Sequence, residues 1–424
     1  MNLVINKDFN SLNGQIEIPP DKSLSHRAVI FSSLAKGKSV IYNFSKGKDP
    51  HSSLCICKNL GIDIEQNGST IRVNSDGKFN KPLSALDCGN SGTTMRLMAG
   101  VLAGQNFDSV LIGDESLSKR PMKRIVEPLS LMGADINCNN FHAPLNIKGK
   151  NLHSIDYESE IASAQVKSCV LLAGLFAQGI TSYKEIYPSR NHTEIMLSNM
   201  GANIICENNL IKIEKSELKP LNINICGDIS SAAYFMVAGL IVPDSEIILK
   251  NIGLNPTRSG ITEVIKKMGG DIEILDQRDV CGELVGDVKV KYSQGMKGVE
   301  ISGEIIPSLI DEIPVISLLA TQCEGETIIK DASDLRNKES DRIKTTVSEL
   351  KKLGAEIEET SDGIIIHGKT KLKGGAETES YKDHRLAMTL YVAGLICNKE
   401  ILIKDFEWVN ISFPEFLELF ETLQ

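Results

Sequence analysis

A short phrase recurs five times along the chain, and its period constrains the fold more than any other feature. Each copy ends an apolar helical pattern, places a glycine after it, and continues with alternating apolar and polar residues. A glycine in that position is typical of a left-handed helix end, and the alternation that follows predicts a strand. The copies are LGIDIE, MGADIN, MGANII, MGGDIE and LGAEIE, with the glycines at positions 61, 133, 201, 269 and 354.

A second phrase, a helix that begins on small polar residues, interleaves with the first six times, and a β-rich segment follows nearly every copy. Six helix–strand–helix–strand units of about 70 residues fit a chain of 424 residues as two pseudo-threefold α/β domains with three units each. A TIM barrel is the alternative for repeated β/α units, but it needs eight shorter ones. The six phrases are SLSHRAVIFSSLAKG, NSGTTMRLMAGVLAG, SAQVKSCVLLAGLFAQG, ISSAAYFMVAGLIV, DEIPVISLLATQCEG and DHRLAMTLYVAGLIC.

Composition excludes several classes of partner. The formal net charge is −9, which argues against a nucleic-acid-binding surface. The longest apolar run, 232–242, is far shorter than the roughly 18 residues of a membrane-spanning helix, so no membrane partner is expected. The N-terminus lacks the pattern of a signal or transit peptide, and a cytoplasmic location is expected.

The ten cysteines are scattered singly, and no C-x-x-C occurs. This spacing predicts reduced thiols and neither a disulfide framework nor a zinc site. The histidines form no close metal-binding pattern, so no metal is expected. Neither a Walker A loop nor G-x-G-x-x-G is present, which leaves nucleotide binding without a motif.

Cations gather at the starts of the repeated helices and in the loops beside them. A helix N-terminus is already positive, so cations placed there indicate an anion that several donors share. The pattern predicts a small ligand with several negative charges, and Asp311 and Glu339 could exchange protons with it. The cations are Lys22, Arg27, Arg120, Arg190, Lys338, Arg342 and Arg385.

Seven segments, in this order and spacing, resemble the enolpyruvyl transferases over essentially the whole chain. They are DKSLSHRA, GNSGTTMRL, GDESLSKRPM, SAQVKS, GDISSAAYF, RNKESDR and DHRLAM. The resemblance implies two domains, each of three βαβαββ units with helices inside and sheets outside, an inside-out α/β barrel. It places a discontinuous domain at 1–19 plus 227–424 and an inserted domain at 20–226, with chain crossings near Pro19 and Gly227 and the active site in the cleft between domains.

The resemblance is strongest to the branch that transfers the enolpyruvyl group of phosphoenolpyruvate to the 5-hydroxyl of shikimate 3-phosphate. That reaction releases phosphate and belongs to the synthesis of chorismate and the aromatic amino acids. It is an addition followed by an elimination and requires no metal or organic cofactor. The implied partners are these two small-molecule substrates alone, and a monomer is expected.

The resemblance also implies site residues. Asp311 is the expected proton acceptor at the 5-hydroxyl, Glu339 the acid and base at C3, and Lys22 a catalytic residue near both ligands. The expected shikimate-3-phosphate contacts are Lys22, Ser23, Arg27, Ser163, Ala164 (backbone only), Gln165, Arg190, Asp311 and Lys338. The expected phosphoenolpyruvate contacts are Lys22, Gly92, Arg120, Gln165, Arg342 and Arg385.

The chain departs from the family's pattern in three places. Ala164 stands where a serine is frequent, Asp334 where an asparagine is common, and Asn410 and Ile411 precede Ser-Phe-Pro without the lysine of some members. Two alternative functions stay open. One is transfer to UDP-N-acetylglucosamine, although GDESLSKRPM lacks the reactive cysteine of that branch, and the other is non-catalytic anion binding on the same fold.

Overall fold

The computed structural model describes residues 1–6 and 11–424, which divide into two compact units. The discontinuous unit comprises Met1–Pro19, Cys226–Asp279 and Leu284–Gln424, and the inserted unit comprises Pro20–Ile225 with Val280–Glu283. The sequence prediction put its two crossings near Pro19 and Gly227 and did not foresee that residues 280–283 group with the inserted unit. The Asn199 side chain donates to the carbonyl of Cys281 at 2.7 Å. These residues are 82 positions apart, so no local sequence pattern predicts their contact.

The strands are short and are numbered along the chain. They are β1 (Leu3–Ile5), β2 (Asn13–Glu17), β3 (Lys36–Tyr42), β4 (Asp63–Asn67), β5 (Thr70–Asp76), β6 (Leu86–Asp87), β7 (Ser109–Ile112), β8 (Asp135–Asn139), β9 (His142–Lys148), β10 (Asp156–Glu158), β11 (Thr181–Lys184), β12 (Ile204–Glu207), β13 (Leu210–Ile213), β14 (Asn222–Asn224), β15 (Glu246–Gly253), β16 (Asp271–Val280), β17 (Glu283–Lys291), β18 (Glu300–Ile301), β19 (Gly325–Ile329), β20 (Glu356–Glu359), β21 (Ile364–Gly368), β22 (Glu377–Glu379) and β23 (Ile401–Lys404).

The α-helices alternate with these strands. They are α1 (Lys22–Leu34), α2 (Lys48–Asn59), α3 (Gly92–Ala103), α4 (Glu115–Ser118), α5 (Lys123–Leu131), α6 (Ala164–Gly174), α7 (His192–Asn199), α8 (Ile229–Ile241), α9 (Gly260–Met268), α10 (Ile306–Leu309), α11 (Ile313–Thr321), α12 (Arg342–Lys352), α13 (His384–Ile396) and α14 (Phe416–Thr422).

The repeat that the sequence predicts as helix–strand–helix–strand is a βαβαββ unit in the structure, the form that the family resemblance implies. Its clearest copy runs β10, α6, β11, α7, β12, β13 and folds into one sheet of order β10-β11-β13-β12. The first two strands of that sheet are parallel because α6 crosses between them, and the remaining pairs are antiparallel. The described residues form six such sheets, three from each unit, and the sheet β1-β23-β22 is the only three-stranded one among them.

The ends of the chain segments close both units. Strand β14, at the end of the inserted unit, pairs in parallel with β3 near its beginning. In the discontinuous unit, β2 pairs with β15 and β1 pairs with β23, so that residues near the N-terminus complete sheets built from the C-terminal half. Each unit therefore depends on pairing between segments that are far apart in sequence.

The first helix of each repeat is almost entirely buried. These helices are α1, α3 and α6 in the inserted unit and α8, α11 and α13 in the discontinuous unit. Apolar residues all round a helix predict burial on every side, and α8 shows this most clearly. Within residues 1–6 and 11–424, no helix is long and apolar enough to cross a membrane.

The recurring glycines adopt the left-handed conformation that the sequence predicted. They follow helices α2, α5, α7, α9 and α12, and each carries a positive φ angle. A residue with a Cβ is strained in this region, whereas glycine is not. The prediction is confirmed at all five positions, Gly61 (89°), Gly133 (89°), Gly201 (81°), Gly269 (83°) and Gly354 (99°).

Helices α3 and α6 approach closely at one glycine. A Cβ built on Gly100 would lie 2.2 Å from the carbonyl oxygen of Cys169, which is backbone and cannot rotate away. This close approach fixes the spacing of two helices whose N-termini carry Gly92 and Gln165. The absence of a side chain at position 100 therefore serves the candidate site as well as the core.

We expect Gly100→Ala to lower the free energy of unfolding by about 2 kcal/mol, because overpacking costs about 1–3 kcal/mol. The gain in helix propensity, about 0.5–1 kcal/mol, is too small to offset the clash. Urea denaturation measures the difference. The control is Ser130→Ala on an exposed face of α5, which should stay within about 0.5 kcal/mol of wild type. Equal stability of Gly100→Ala and wild type would contradict this account of the helix spacing.

Candidate active site

The start of α1 carries the first predicted residues. Asp21 caps this helix, its carboxylate accepting from the backbone N–H of Leu24 at 2.7 Å. Lys22 at the first helical position pairs with Asp49 at 3.1 Å and keeps about a fifth of its side chain exposed. Two carboxylates thus stabilise a helix start that the sequence crowds with cations.

Arg27, one turn further along α1, is almost completely buried at 1% exposure. Its Nε donates to the Thr193 hydroxyl at 2.7 Å and its Nη2 donates to the Ser168 hydroxyl at 2.8 Å. Its Nη1 donates to the backbone carbonyl of Ser23 at 3.1 Å. All three acceptors are neutral, so these hydrogen bonds orient the guanidinium without cancelling its charge.

Arg190 brings a second guanidinium to the same place, where it donates to the Ser23 hydroxyl. Burial lowers the pKa of Arg27 to about 10, and the positive charge of Arg190 adds to this lowering. Two arginines that repel each other around one serine form a site suited to a doubly charged anion such as a phosphate. Ser23, Arg27 and Arg190, all predicted as phosphate contacts, are therefore together in the structure.

A second group surrounds the start of α3. A Cβ on Gly92 would lie 3.1 Å from Nη1 of Arg96 and 3.5 Å from Nη1 of Arg120, so the missing side chain leaves room beside two guanidiniums. Arg96 also donates to the side-chain oxygen of Gln165, and the Gln165 amide donates to Thr93 at 2.8 Å. Gly92, Arg120 and Gln165 thus meet as predicted contacts of one ligand would. Arg96 stands among them and was not singled out in the sequence.

The start of α6 joins the two groups. Ser163 caps the helix, its hydroxyl accepting from the N–H of Val166 at 3.5 Å. The carbonyl of Ala164 accepts from the Ser168 hydroxyl at 2.6 Å, and Ser168 in turn accepts from Arg27. Ala164 carries no hydroxyl, so only its backbone is available for the shikimate-3-phosphate contact predicted at this position.

In the discontinuous unit, one buried guanidinium holds three carboxylates. Arg342, at the start of α12, donates to Asp311 at 3.2 Å, to Glu339 at 2.6 Å and to Asp383 at 2.8 Å. Burial alone would lower the pKa of Arg342, but these carboxylates outweigh it and hold that pKa above its ordinary value. The two predicted proton-transfer groups, Asp311 and Glu339, consequently lie on the same guanidinium.

Asp383 is the buried member of this set. Burial opposes its ionisation, yet the charge and hydrogen bonds of Arg342 keep the pKa of its carboxyl below the ordinary value. It also caps α13 by accepting from the N–H of Arg385 at 3.0 Å. The sequence analysis did not single out Asp383, although it lies two residues before a predicted contact.

Arg385 lies between Asp311, at 3.7 Å, and Glu312, at 3.8 Å. Glu312 is fully buried, and that burial raises the pKa of its carboxyl. Arg258 also approaches the carboxylate of Glu312, at 3.8 Å, and the Ser230 hydroxyl donates to it. Glu312 neighbours the predicted base in sequence and could have been suspected, whereas no motif marks Arg258.

Lys338 lies 4.0 Å from Asp311 and 2.9 Å from Asp334. Asp334 is the position where the family's pattern has an asparagine, and here it makes an ion pair with a predicted ligand contact. The predicted residues of the discontinuous unit, Asp311, Lys338, Glu339, Arg342 and Arg385, are thus linked by hydrogen bonds and ion pairs into one network.

A family model for EPSP synthase (3-phosphoshikimate 1-carboxyvinyltransferase) matches residues 7–420. The chain is 53% identical to the 3-phosphoshikimate 1-carboxyvinyltransferase of Thermodesulfovibrio yellowstonii, with all of both chains covered. The chain belongs to the EPSP synthase family. It is also 49% identical to the protein of that name from Bacillus subtilis, over 96% of each chain.

Solved structures agree with this membership. The EPSP synthase of Acinetobacter baumannii superposes with a TM-score of 0.89 at 40% identity, covering all of this chain and 98% of that one. The enolpyruvyl transferase NikO from Streptomyces tendae has a TM-score of 0.79 at 16% identity and shows the fold alone. The predicted fold class, the two-domain enolpyruvyl transferase fold, is confirmed.

The site residues described above fall into two clusters, one in each unit. The inserted-unit cluster is Lys22, Ser23, Arg27, Gly92, Arg96, Arg120, Ser163, Ala164, Gln165 and Arg190. The discontinuous-unit cluster is Asp311, Glu312, Lys338, Glu339, Arg342, Asp383 and Arg385. Among residues 1–6 and 11–424, no three His, Cys, Asp or Glu side chains are arranged to hold a metal ion.

We expect inorganic phosphate to stabilise the protein through Arg27 and Arg190. At ten times its Kd a ligand adds about 1.4 kcal/mol to stability, which corresponds to a rise in Tm of about 3 °C. In Arg190→Ala this rise should disappear, while the Tm without phosphate should not fall, since a repulsive charge has been removed. Differential scanning fluorimetry measures both quantities.

Arg72→Ala, an exposed arginine on β5, is the control and should keep the full phosphate effect. An Arg190→Ala variant that phosphate still stabilises as strongly as wild type would show that the anion binds elsewhere.

Proposed function

We propose that this protein transfers the enolpyruvyl group of phosphoenolpyruvate to the 5-hydroxyl of shikimate 3-phosphate, releasing inorganic phosphate. The observation that carries the proposal is one guanidinium, Arg342, holding both Asp311 and Glu339 in a chain whose full-length relatives are named for this transfer. The chemistry is proton transfer plus stabilisation of charge, for which these residue types are sufficient.

The reaction has two steps. The oxygen of the 5-hydroxyl bonds to C2 of phosphoenolpyruvate and loses its proton, while C3 gains a proton and becomes a methyl group. The tetrahedral intermediate then eliminates phosphate from C2, and C3 loses a proton to restore the double bond. The addition removes a proton from the hydroxyl oxygen and delivers one to C3, and the elimination removes one from C3, so acid–base groups are needed at two different positions.

The candidate roles are those that the resemblance to the enolpyruvyl transferases implies. Asp311, about a fifth exposed, is proposed to accept the hydroxyl proton, and Glu339, equally exposed, to exchange the proton at C3. Arg342 donates to both carboxylates and so holds them in place beside each other. Lys22 is proposed as a further catalytic residue.

The anionic groups of the substrates are proposed to be held by cations. In the inserted-unit cluster, Ser23, Arg27 and Arg190 would bind the phosphate of shikimate 3-phosphate, with Lys338 and Ser163–Gln165 contacting the same molecule. The set proposed for phosphoenolpyruvate is Lys22, Gly92, Arg120, Gln165, Arg342 and Arg385. The proposal therefore requires residues of both units to bind one substrate pair.

Expected location and assembly are part of the proposal. The ten cysteines are free thiols, and six of them are buried, which supports work in a reducing compartment such as the cytoplasm. We propose that the active species is a monomer, which sedimentation equilibrium tests directly.

The decisive assay is phosphate release from phosphoenolpyruvate with shikimate 3-phosphate, with UDP-N-acetylglucosamine, or with no acceptor. Release with the first acceptor alone is the expected result. In Asp311→Asn the turnover should fall by about 10²–10⁴, the usual cost of losing a positioned base. Shikimate 3-phosphate should still bind within about tenfold of wild type, a change of about 1.4 kcal/mol.

Asp271→Asn, an exposed carboxylate of the same unit, is the matched control and should leave kcat unchanged. Wild-type kcat in Asp311→Asn would exclude that residue as the base. Release with UDP-N-acetylglucosamine, or none with any acceptor, would overturn the proposed function itself.

Glyphosate should inhibit in competition with phosphoenolpyruvate. A methyl group at position 92 would press on Arg96 and make an ordinary contact with Arg120, and we expect it to crowd the longer inhibitor before the substrate. Gly92→Ala should therefore raise the inhibition constant about tenfold or more, as overpacking by one methyl can, with a smaller rise in KM for phosphoenolpyruvate. An inhibition constant that Gly92→Ala leaves unchanged would refute this placement of the glycine.

A further inference from the structure

A buried lysine lies behind the inserted-unit cluster and belongs to none of the predicted roles. Lys167 on α6 has an exposure of 1%, and its ammonium is close to three acceptors. It contacts Glu185 at 2.8 Å, Glu194 at 2.6 Å and the backbone carbonyl of Ser189 at 3.1 Å. An ammonium has three N–H donors, so these acceptors match its full capacity.

Two of the three partners of Lys167 adjoin either Arg190 or a residue that orients Arg27. Ser189 immediately precedes Arg190, and both its N–H and its hydroxyl donate to Glu185. Glu194 immediately follows Thr193, the hydroxyl that accepts from Nε of Arg27. The buried ion triad of Lys167, Glu185 and Glu194 therefore joins α6, the 185–190 loop and α7 at the points where they hold Arg27 and Arg190.

Lys167 itself is followed by Ser168, whose hydroxyl accepts from Nη2 of Arg27 and is 2.6 Å from the Thr193 hydroxyl. The two hydroxyls that orient Arg27 thus come from α6 and α7, and the ion pair of Lys167 with Glu194 ties these helices one residue away from each hydroxyl.

Stability alone is a poor explanation for such a triad. A buried ion pair is frequently no more stabilising than well-packed apolar side chains of the same volume, because desolvation offsets the attraction. Apolar residues, however, have no directional bonds with which to fix the backbone of Ser189. The triad also places carboxylate charge near the arginines, and Glu194 raises the pKa of Arg27 against the lowering by burial and Arg190.

We propose that Lys167, Glu185 and Glu194 are positioning residues that set the separation and orientation of Arg27 and Arg190 for the phosphate of shikimate 3-phosphate. The inference rests on the proposed function for the identity of the phosphate-bearing ligand. It rests on this structure for the contacts. None of the three residues touches the reacting atoms, so their loss should act on binding of the phosphate and not on the chemical steps.

The first test is Lys167→Met, which keeps most of the side-chain volume and removes the ammonium. We expect KM for shikimate 3-phosphate to rise at least tenfold, while KM for phosphoenolpyruvate and kcat at saturation change less than twofold. The inhibition constant of shikimate, which lacks the phosphate, should also stay within twofold. Lys184→Met is the control, because Lys184 adjoins Glu185 in sequence but is exposed and pairs with Glu158 at 2.9 Å.

The second test does not depend on removing a buried charge. Ser189→Ala deletes only the hydroxyl that donates to Glu185 and should raise KM for shikimate 3-phosphate three- to tenfold. In an Arg190→Ala background the same substitution should have almost no further effect, because its influence passes through Arg190. A folded Lys167→Met with wild-type KM, or a Ser189→Ala effect of equal size in both backgrounds, would overturn the inference.

The two proposals fail in different ways. If wild-type protein releases no phosphate with shikimate 3-phosphate, the proposed function is wrong, whatever the variants do. Inorganic phosphate then serves as the probe of the positioning. A phosphate-induced rise in Tm that is equal in wild type and in Lys184→Met, and clearly smaller in Ser189→Ala, supports the positioning, whereas an equal rise in all three overturns it.

Discussion

A buried guanidinium must be hydrogen-bonded on most of its donors, and the two units of this protein meet that requirement in opposite ways. Arg27 donates to two hydroxyls and a carbonyl, which leave its positive charge unbalanced. Arg342 donates to three carboxylates, which more than balance its charge. The first arrangement is suited to binding an anion, and the second holds the two carboxylates proposed for proton transfer in place. The division of labour proposed for the two clusters follows from this difference.

The fold makes the arrangement around Arg27 possible because the first helix of every repeat is buried along its length. Side chains at the start of such a helix are held by neighbouring helices, and Arg27 on α1 is oriented by residues of α6 and α7. The close approach of α3 and α6 at Gly100 similarly holds Gly92, Arg96 and Gln165 in reach of one another. Rigid neighbours of this kind reduce the reorganisation that a charged site would otherwise need on binding.

Much of the architecture could be predicted because its signals are local. The five glycines with positive φ mark helix ends by a backbone preference that belongs to the residue itself. The six repeats follow from hydrophobic periodicity, and the order of the motifs identified the family. The helix starts also showed where cations collect, so that Ser23, Arg27 and Arg190, or Asp311, Glu339 and Arg342, could be named before any contact was known.

The partners of those residues could not be predicted, since they come from elements far apart in the chain. Asp383 meets Arg342 across 41 positions, Ser168 meets Arg27 across 141, and Lys167 gathers Glu185, Glu194 and Ser189 from a later loop and helix. Local conformational preference and hydrophobic periodicity describe each element alone, and they do not specify which elements will be neighbours. The amino-acid pattern therefore determined the repeat, the helix ends and the chemical types at the site. Tertiary packing decided whether each buried charge is opposed by a hydroxyl or by a carboxylate, because that depends on which helix lies beside it.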